Sequence, residues 1–202
     1  MDIGQVSFIV TAAAFGAVIL LWIGFSLTFA LRKRPEISKD AAHAPRSWAG
    51  LILQGLGFFP VWAIHRDPAF SPLVDGYPVV NIMLQVFAVG IAAASVWLVM
   101  SAIRELGKQW SLEARLIEGH KLVTTGVYRI VRHPIYTAML GMLIATGVTL
   151  SRWYVVLVSV VVFIIGTKIR TVFEERLLKD AFGTEFDEFK AKVPSLTPFV
   201  KI

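Results

Sequence analysis

The chain alternates between long apolar runs without charge and shorter segments in which the charges concentrate. Five runs stand out, at residues 6–31, 47–64, 77–103, 134–151 and 153–167. A helix needs about 20 apolar residues to cross the hydrocarbon core of a bilayer. The first and third runs meet that length outright, and the second and fourth approach it. The fifth must borrow length from Lys168 onward, whose ammonium can snorkel to the interface. The pattern predicts an all-α, polytopic membrane protein with five transmembrane helices. A short apolar run can instead be a buried core helix, but five runs in 202 residues leave no soluble domain large enough to bury them.

The basic residues orient this map. Of the 20 lysines and arginines, all but Arg66 and Arg152 fall in the segments after the first, third and fifth runs. The positive-inside rule places those segments in the cytosol. The N-terminus is then outside and the C-terminus inside, in an integral membrane protein expected in a bacterial inner membrane. The net charge of +6 is accounted for by topology and attraction to anionic lipid, with no need for a nucleic-acid partner. The first run is too long for the apolar core of a cleaved signal peptide, and Asp2 stands where a basic flank is usual. Cysteine is absent, which excludes disulfides, thiolate metal sites and cysteine nucleophiles.

The loops are asymmetric. Ser151-Arg152-Trp153 is almost a bare turn, so runs four and five should form a tight helical hairpin. The outer segment 65–76 carries Pro68, Pro72 and Gly76 and reads as irregular. Polar chemistry is concentrated in the inner segment 104–133 and in the tail from Lys168. Residues 113–118 read as a short extended or helical piece, and Thr124-Thr125-Gly126 as a turn. Pro134 sits at a favoured first-turn position of the fourth helix. The tail should continue as helix to Gly183, with Thr184 capping a further short helix and Asp187 completing a loose capping box. Phe182, Phe186 and Phe189 share one face of that region, which fits packing against the membrane-proximal core.

Two small clusters carry candidate chemistry. Arg132-His133-Pro134-x-Tyr136 places two cationic or proton-active groups before a helix start, where free N–H groups and the positive dipole end favour an anion. The same residues also fit a positive-inside arginine followed by an interfacial aromatic. Arg170 and Glu174 are four apart and can pair along a helix, with Glu175 beside them. Two adjacent glutamates beyond a membrane span can receive an ammonium or ribose hydroxyls, or can be a solvated helical face. Because runs four and five form a hairpin, the two clusters should meet at one end of it.

The order of motifs goes further than either cluster. Leu106-Gly107-Lys108-Gln109-Trp110-Ser111 is followed by the segment 120–128, by Arg132-His133-Pro134-Ile135-Tyr136, by Glu174-Glu175-x-x-Leu178, by Phe182-Gly183-Thr184-Glu185-Phe186-x-x-Phe189, and by Val193-Pro194 and Pro198-Phe199. Over residues 104–202 this string resembles the isoprenylcysteine carboxyl methyltransferases and the related membrane phospholipid methyltransferases. The sequence departs from their pattern at Ala138, where glycine is frequent, and at Phe186 and Phe189, where tyrosine is usual. None of these changes removes a charged motif residue.

The resemblance implies one integral membrane methyltransferase domain over residues 1–202, with three N-terminal spans in 1–103 and a cofactor-binding catalytic half in 104–202. It implies S-adenosylmethionine as methyl donor, a lipophilic or lipidated acceptor drawn from the bilayer, and neither metal nor nucleic acid. By matching positions, Arg132, His133 and Tyr136 would hold the polar end of the cofactor. His120, Leu122, Val123, Gly126 and Tyr128 would wrap its adenosine. Arg170, Glu174 and Glu175 would form the catalytic group, meeting the cofactor's amino group or orienting the acceptor. Gln109 and Trp110 would contribute to a lid. Two other classes fit less of the pattern: a nicotinamide-dependent membrane reductase of the sterol-reductase type, which should be longer, and a membrane binding protein without catalysis.

Overall fold

The computed structural model describes residues 1–31, 48–67, 69–107 and 121–197. Among these the fold is all helical: α1 (Ile3–Ala30), α2 (Trp48–Ala63), α3 (Pro78–Leu106), α4 (Pro134–Leu150), α5 (Trp153–Phe182) and α6 (Thr184–Lys192), with a 3-10 turn at Gly126–Arg129 before α4. Asp2 and Gln5 form a reciprocal capping box that starts α1. Pro78 and Pro134 open α3 and α4, where the missing N–H costs nothing.

The fifth apolar run does borrow length, and more than expected. α5 continues unbroken for 30 residues, past the last membrane-compatible position and through Glu174 and Glu175, until Gly183 takes a positive φ of 54°. Gly183 itself occupies the cap position of α6. The expected cap, Thr184, is instead the first residue of that helix, and no side chain caps it. The glycine conformation that ends α5 leaves no turn in which the threonine could stand outside the helix.

Helices α1, α3 and α5 are long and apolar enough to cross a membrane, whereas α2 and α4 are shorter apolar helices. Helix α4 is the hub, packed against α1, α2, α3 and α5. The closest pairing is α2 on α5. A Cβ added to Gly166 would lie 2.7 Å from the Gly50 carbonyl, and one on Gly57 would lie 3.0 Å from Phe163, so both backbones approach only because these side chains are absent.

Buried polar groups tie the bundle together. Asn81 donates to Ser7 at 2.8 Å and Thr11 at 2.9 Å, joining α3 to α1. The Trp22 indole donates to Thr146 at 2.8 Å, and Gln54 donates to Thr167 at 2.9 Å. At the closed end of the α4–α5 hairpin, buried Arg66 donates to the carbonyls of Val148, Thr149 and Ser151. It thereby satisfies the orphan carbonyls at the end of α4. Burial lowers the Arg66 guanidinium to about 10, still well above neutrality. The opposite, open end of the hairpin holds the charged cluster.

Candidate active site

The short turn at Ser151–Arg152 brings the start of α4 beside the late turns of α5. His133 and Tyr136 on α4's first turn therefore meet Arg170, Glu174 and Glu175 on α5. Arg132 Nη2 lies 2.8 Å and Nε 3.0 Å from Glu175 Oε1, and His133 Nε2 lies 3.1 Å from the same oxygen. The other Glu175 oxygen accepts from Lys190 on α6 at 2.7 Å. Glu174 accepts from the Tyr136 hydroxyl, pairs with Arg170 at 3.3 Å, and lies 3.7 Å from His133 Nδ1. The His133 and Tyr136 rings are stacked, and the Arg170 guanidinium lies over the Tyr136 ring at 5.4 Å. Four cation-capable groups and two carboxylates thus alternate in one patch, in which Arg132, His133 and Arg170 are nearly dry, Glu174 keeps 20% side-chain exposure and Lys190 stands half exposed at the rim.

The segment after α6 builds the other wall. Arg132 and His133 donate their main-chain N–H groups to the carbonyls of Pro194 and Ser195, at 2.9 and 3.0 Å. Thr137 donates its hydroxyl to Leu196 at 2.6 Å. Arg132 Nη1 donates to the carbonyls of Lys190 and Val193. Two N–H groups expected to be free before α4 are therefore already paired, and four of the five Arg132 N–H donors go to protein acceptors. Arg132 fastens α6 and the following strap to Glu175.

Residues 121–124 form no regular element, and Thr125 is extended where the chain enters the 3-10 turn. Among the described residues, no main-chain partner is made by Leu122 or Val123. Gly126 has φ 56°, and Glu105 at the end of α3 lies directly against its Cα, held by a 2.9 Å bond from Thr125. Tyr128 is buried against α3, in a cluster with Ala102 and Val127. Burial first, then the Glu174 and Glu105 carboxylates, push its hydroxyl well above the ordinary tyrosine value, so it is a neutral phenol.

The structure thus places together Arg132, His133, Tyr136, Arg170, Glu174 and Glu175. Gly126 and Tyr128 lie in the turn just before α4, against the end of α3, with Leu122 and Val123 preceding them in the chain. His120, Gln109, Trp110 and the piece 113–118 lie outside the described residues. Sequence reasoning missed Lys190 and Glu105. Lys190 carried no signal beyond being one of several tail lysines. Glu105 follows Arg104 in an ordinary helix end, and only the positive φ at Gly126 gives it meaning.

The donor set can be tested against an S-adenosylmethionine-like ligand. Such a ligand combines a carboxylate, an ammonium and a positive sulfur with an adenine that offers main-chain-like donors and acceptors. The Glu174 carboxylate flanked by His133 and Arg170 matches the charged portion. The main-chain groups of Leu122 and Val123 are of the kind an adenine edge pairs with, and the Gly126 turn follows them in the chain. The residues fit.

Among the described residues the protein is all helical, with three helices long and apolar enough to cross a membrane and a cluster of charged side chains at one end of a helical hairpin, which defines it as a membrane-protein fold. Residues 83–185 match the family described as phospholipid methyltransferase, and the chain belongs to that family. It is 37% identical over 102 residues to protein-S-isoprenylcysteine O-methyltransferase B of Arabidopsis thaliana, covering 50% of this chain and 52% of that one. It is 27% identical over 155 residues to the protein-S-isoprenylcysteine O-methyltransferase of Schizosaccharomyces pombe, covering 74% and 62%. The chain spans about half the length of the Arabidopsis relative and less than two thirds of the yeast one.

Proposed function

We propose that the chain is an S-adenosylmethionine-dependent methyltransferase that acts on a lipophilic acceptor at the cytosolic face of a membrane. The observation that carries this reading is the alternation of Arg170, Glu174, His133 and Glu175 around Tyr136 at the open end of the α4–α5 hairpin, inside the segment matched by the family. The chain is read as one domain, with residues 1–103 supplying three spans and 104–202 the catalytic half. In this reading α2 and α4 also span: α4's 17 residues cover about 26 Å, within reach of a locally thinned bilayer. The charged cluster then faces the cytosol, consistent with the distribution of basic residues.

S-adenosylmethionine supplies, when bound, an activated methyl group that passes to an acceptor lone pair as the sulfonium returns to a neutral thioether. Catalysis is then mainly positioning and exclusion of water. Leu122 and Val123 offer main-chain groups to the adenine, the Gly126 turn, held against Glu105, shapes the loop beside them, and Tyr128 gives a neutral wall. His120 is assigned to the same adenosine side. Glu174 holds the ammonium, and its contacts with Tyr136 and Arg170 fix its orientation. His133 and Arg170 balance the carboxylate charges and face the cofactor or acceptor carboxylate. Arg132 and Glu175 position the site by locking α6 against it. A carboxylate acceptor needs no proton removed; for an amine acceptor His133 is the group placed to take one.

The test is transfer of isotope-labelled methyl from S-adenosylmethionine into a total lipid extract by the purified chain, with the product identified by mass. Labelled lipid is expected with wild type and not with Glu174→Gln. No labelled product, from protein that is folded by melting analysis, overturns the reading.

A further inference from the structure

Of the 20 lysines and arginines, the two that fall outside the inner segments, Arg66 and Arg152, line one cavity. It lies at the closed end of the α4–α5 hairpin, between the segment joining α2 to α3 and the start of α5, and has a volume of about 450 Å³. Asp67, Asp75, Trp153 and Tyr154 line it as well. Helix α4, with 17 residues and a length of about 26 Å, separates it from the charged cluster at Tyr136. Hydrogen bonds hold its frame. The Arg66 N–H donates to Leu150 at 3.2 Å, and the Ser151 hydroxyl donates to Ile64 at 2.6 Å. Further along the same segment, the Leu73 N–H donates at 3.0 Å to Asn81, which is itself tied to α1.

The charges around this cavity do not neutralise one another. Arg66 is only 5% exposed, and its Nη groups are committed to three carbonyls, yet its Nε–H has no acceptor among the described residues. The carbonyl end of α4 supplies only about half a negative charge, so this buried cation lacks a full counter-charge. Arg152 stands at the cap of α5 without a side-chain bond, and the N–H groups of Trp153 and Tyr154 in the first turn have no acceptor among the described residues. Asp67 and Asp75 form no ion pair with either arginine or with any other described cation. A bare anion here would meet the two aspartates, and a bare cation the two arginines. A ligand that carries both charges close together satisfies both sets.

We propose that this cavity binds a phosphate ester bearing an ammonium group, the chemistry shared by an aminophospholipid headgroup and by free phosphoethanolamine. The phosphate sits with Arg66, Arg152 and the first N–H groups of α5, where charge and the helix dipole both favour an anion. The ammonium goes to Asp67 and Asp75. Trp153 and Tyr154 are exposed, as aromatics at a membrane interface are, so the acyl chains of a lipid source run past them along α5 into the bilayer. The site is separate from the methyl-transfer chemistry and does not depend on it.

The experiment is native mass spectrometry of the full chain in detergent, with dihexanoyl phosphatidylethanolamine, dihexanoyl phosphatidylglycerol and free phosphoethanolamine as probes. Wild type is expected to bind phosphatidylethanolamine at least fivefold more tightly than phosphatidylglycerol. Arg152→Glu should weaken that binding tenfold or more, and Asp67→Asn combined with Asp75→Asn should bring the two lipids to parity. All three positions are exposed, so these variants should fold, with melting temperature and S-adenosylhomocysteine affinity close to those of wild type. Binding of free phosphoethanolamine within tenfold of the lipid supports the proposal with a soluble source. Binding of the lipid without it supports the proposal with the bilayer as source. Equal binding of the two lipids by wild type overturns the recognition of the ammonium, and with it the proposal. Absence of binding, or binding that both sets of substitutions leave unchanged, overturns the site. None of these outcomes touches the methyltransferase reading, which is decided by methyl transfer from S-adenosylmethionine.

Discussion

Arg132 and Glu175 meet at 2.8 Å although 43 residues separate them, and both side chains are nearly dry. The pair exists because the α4–α5 hairpin closes with a turn of two residues, so the first turn of one helix faces the late turns of the other. Arg132 also holds the carbonyls of Lys190 and Val193. The contact is therefore the rivet between hairpin, α6 and strap.

Removing one partner of such a pair strands the other in a poorly solvated place. Arg132→Ala is expected to destabilise the folded protein by about 3–5 kcal/mol. A lowered melting temperature of the purified protein, with increased proteolysis of the tail after Gly183, would be the readout. Lys190→Ala should change stability by only about 0–1 kcal/mol, since its side chain is half exposed. Equal effects of the two substitutions would contradict the rivet.

Tyr136→Phe separates the ring from the hydroxyl. The stack on His133 and the contact under Arg170 survive, while the donor to Glu174 is lost. Stability should fall by about 0.5–1.5 kcal/mol. If Glu174 must be oriented for the cofactor, S-adenosylhomocysteine affinity should fall roughly tenfold, which is about 1.4 kcal/mol. Titration calorimetry on wild type and variant checks both the sign and the size.

Gly126→Ala should be costly for two separate reasons. The φ of 56° disfavours any Cβ by about 1 kcal/mol, and the Glu105 carboxylate occupies the space. Adding Glu105→Ala should restore part of the lost stability and none of the backbone strain. Full rescue in the double variant would show that the conformation at Gly126 does not matter.

Tyr128 gives a pH dependence with a defined sign. Its hydroxyl ionises at higher pH in the folded chain than in the unfolded one, whose value is near 10. Its contribution to stability is complete below that pH and is lost progressively as pH rises above it. Phenolate absorbance should show Tyr128 titrating only with unfolding, and Tyr128→Phe should flatten the alkaline loss of stability. A Tyr128 phenolate in folded protein near pH 10 would contradict the burial.

Much of this architecture is legible in the sequence. Apolar runs and the proline at position 134 locate the helices, and the short turn at Arg152 implies that Arg132, His133, Glu174 and Glu175 converge. What is not legible is which of these groups pairs with which. The loss of free N–H groups at Arg132 and His133 depends on the strap at Pro194 and Ser195, which no local pattern announces. The Gly50–Gly166 approach and the Trp22–Thr146 bond are likewise matters of helix rotation, which the long charge-free runs leave undetermined, because lipid-facing and partner-facing positions are equally apolar.

The most direct measurement is ligand-dependent thermal stabilisation of the purified protein, with S-adenosylhomocysteine and NADPH compared side by side, for wild type and Glu174→Gln. The methyltransferase assignment predicts stabilisation of wild type by S-adenosylhomocysteine, with a dissociation constant in the micromolar range or about −8 kcal/mol, lost in Glu174→Gln, and none by NADPH. Stabilisation by NADPH and not by S-adenosylhomocysteine would contradict it.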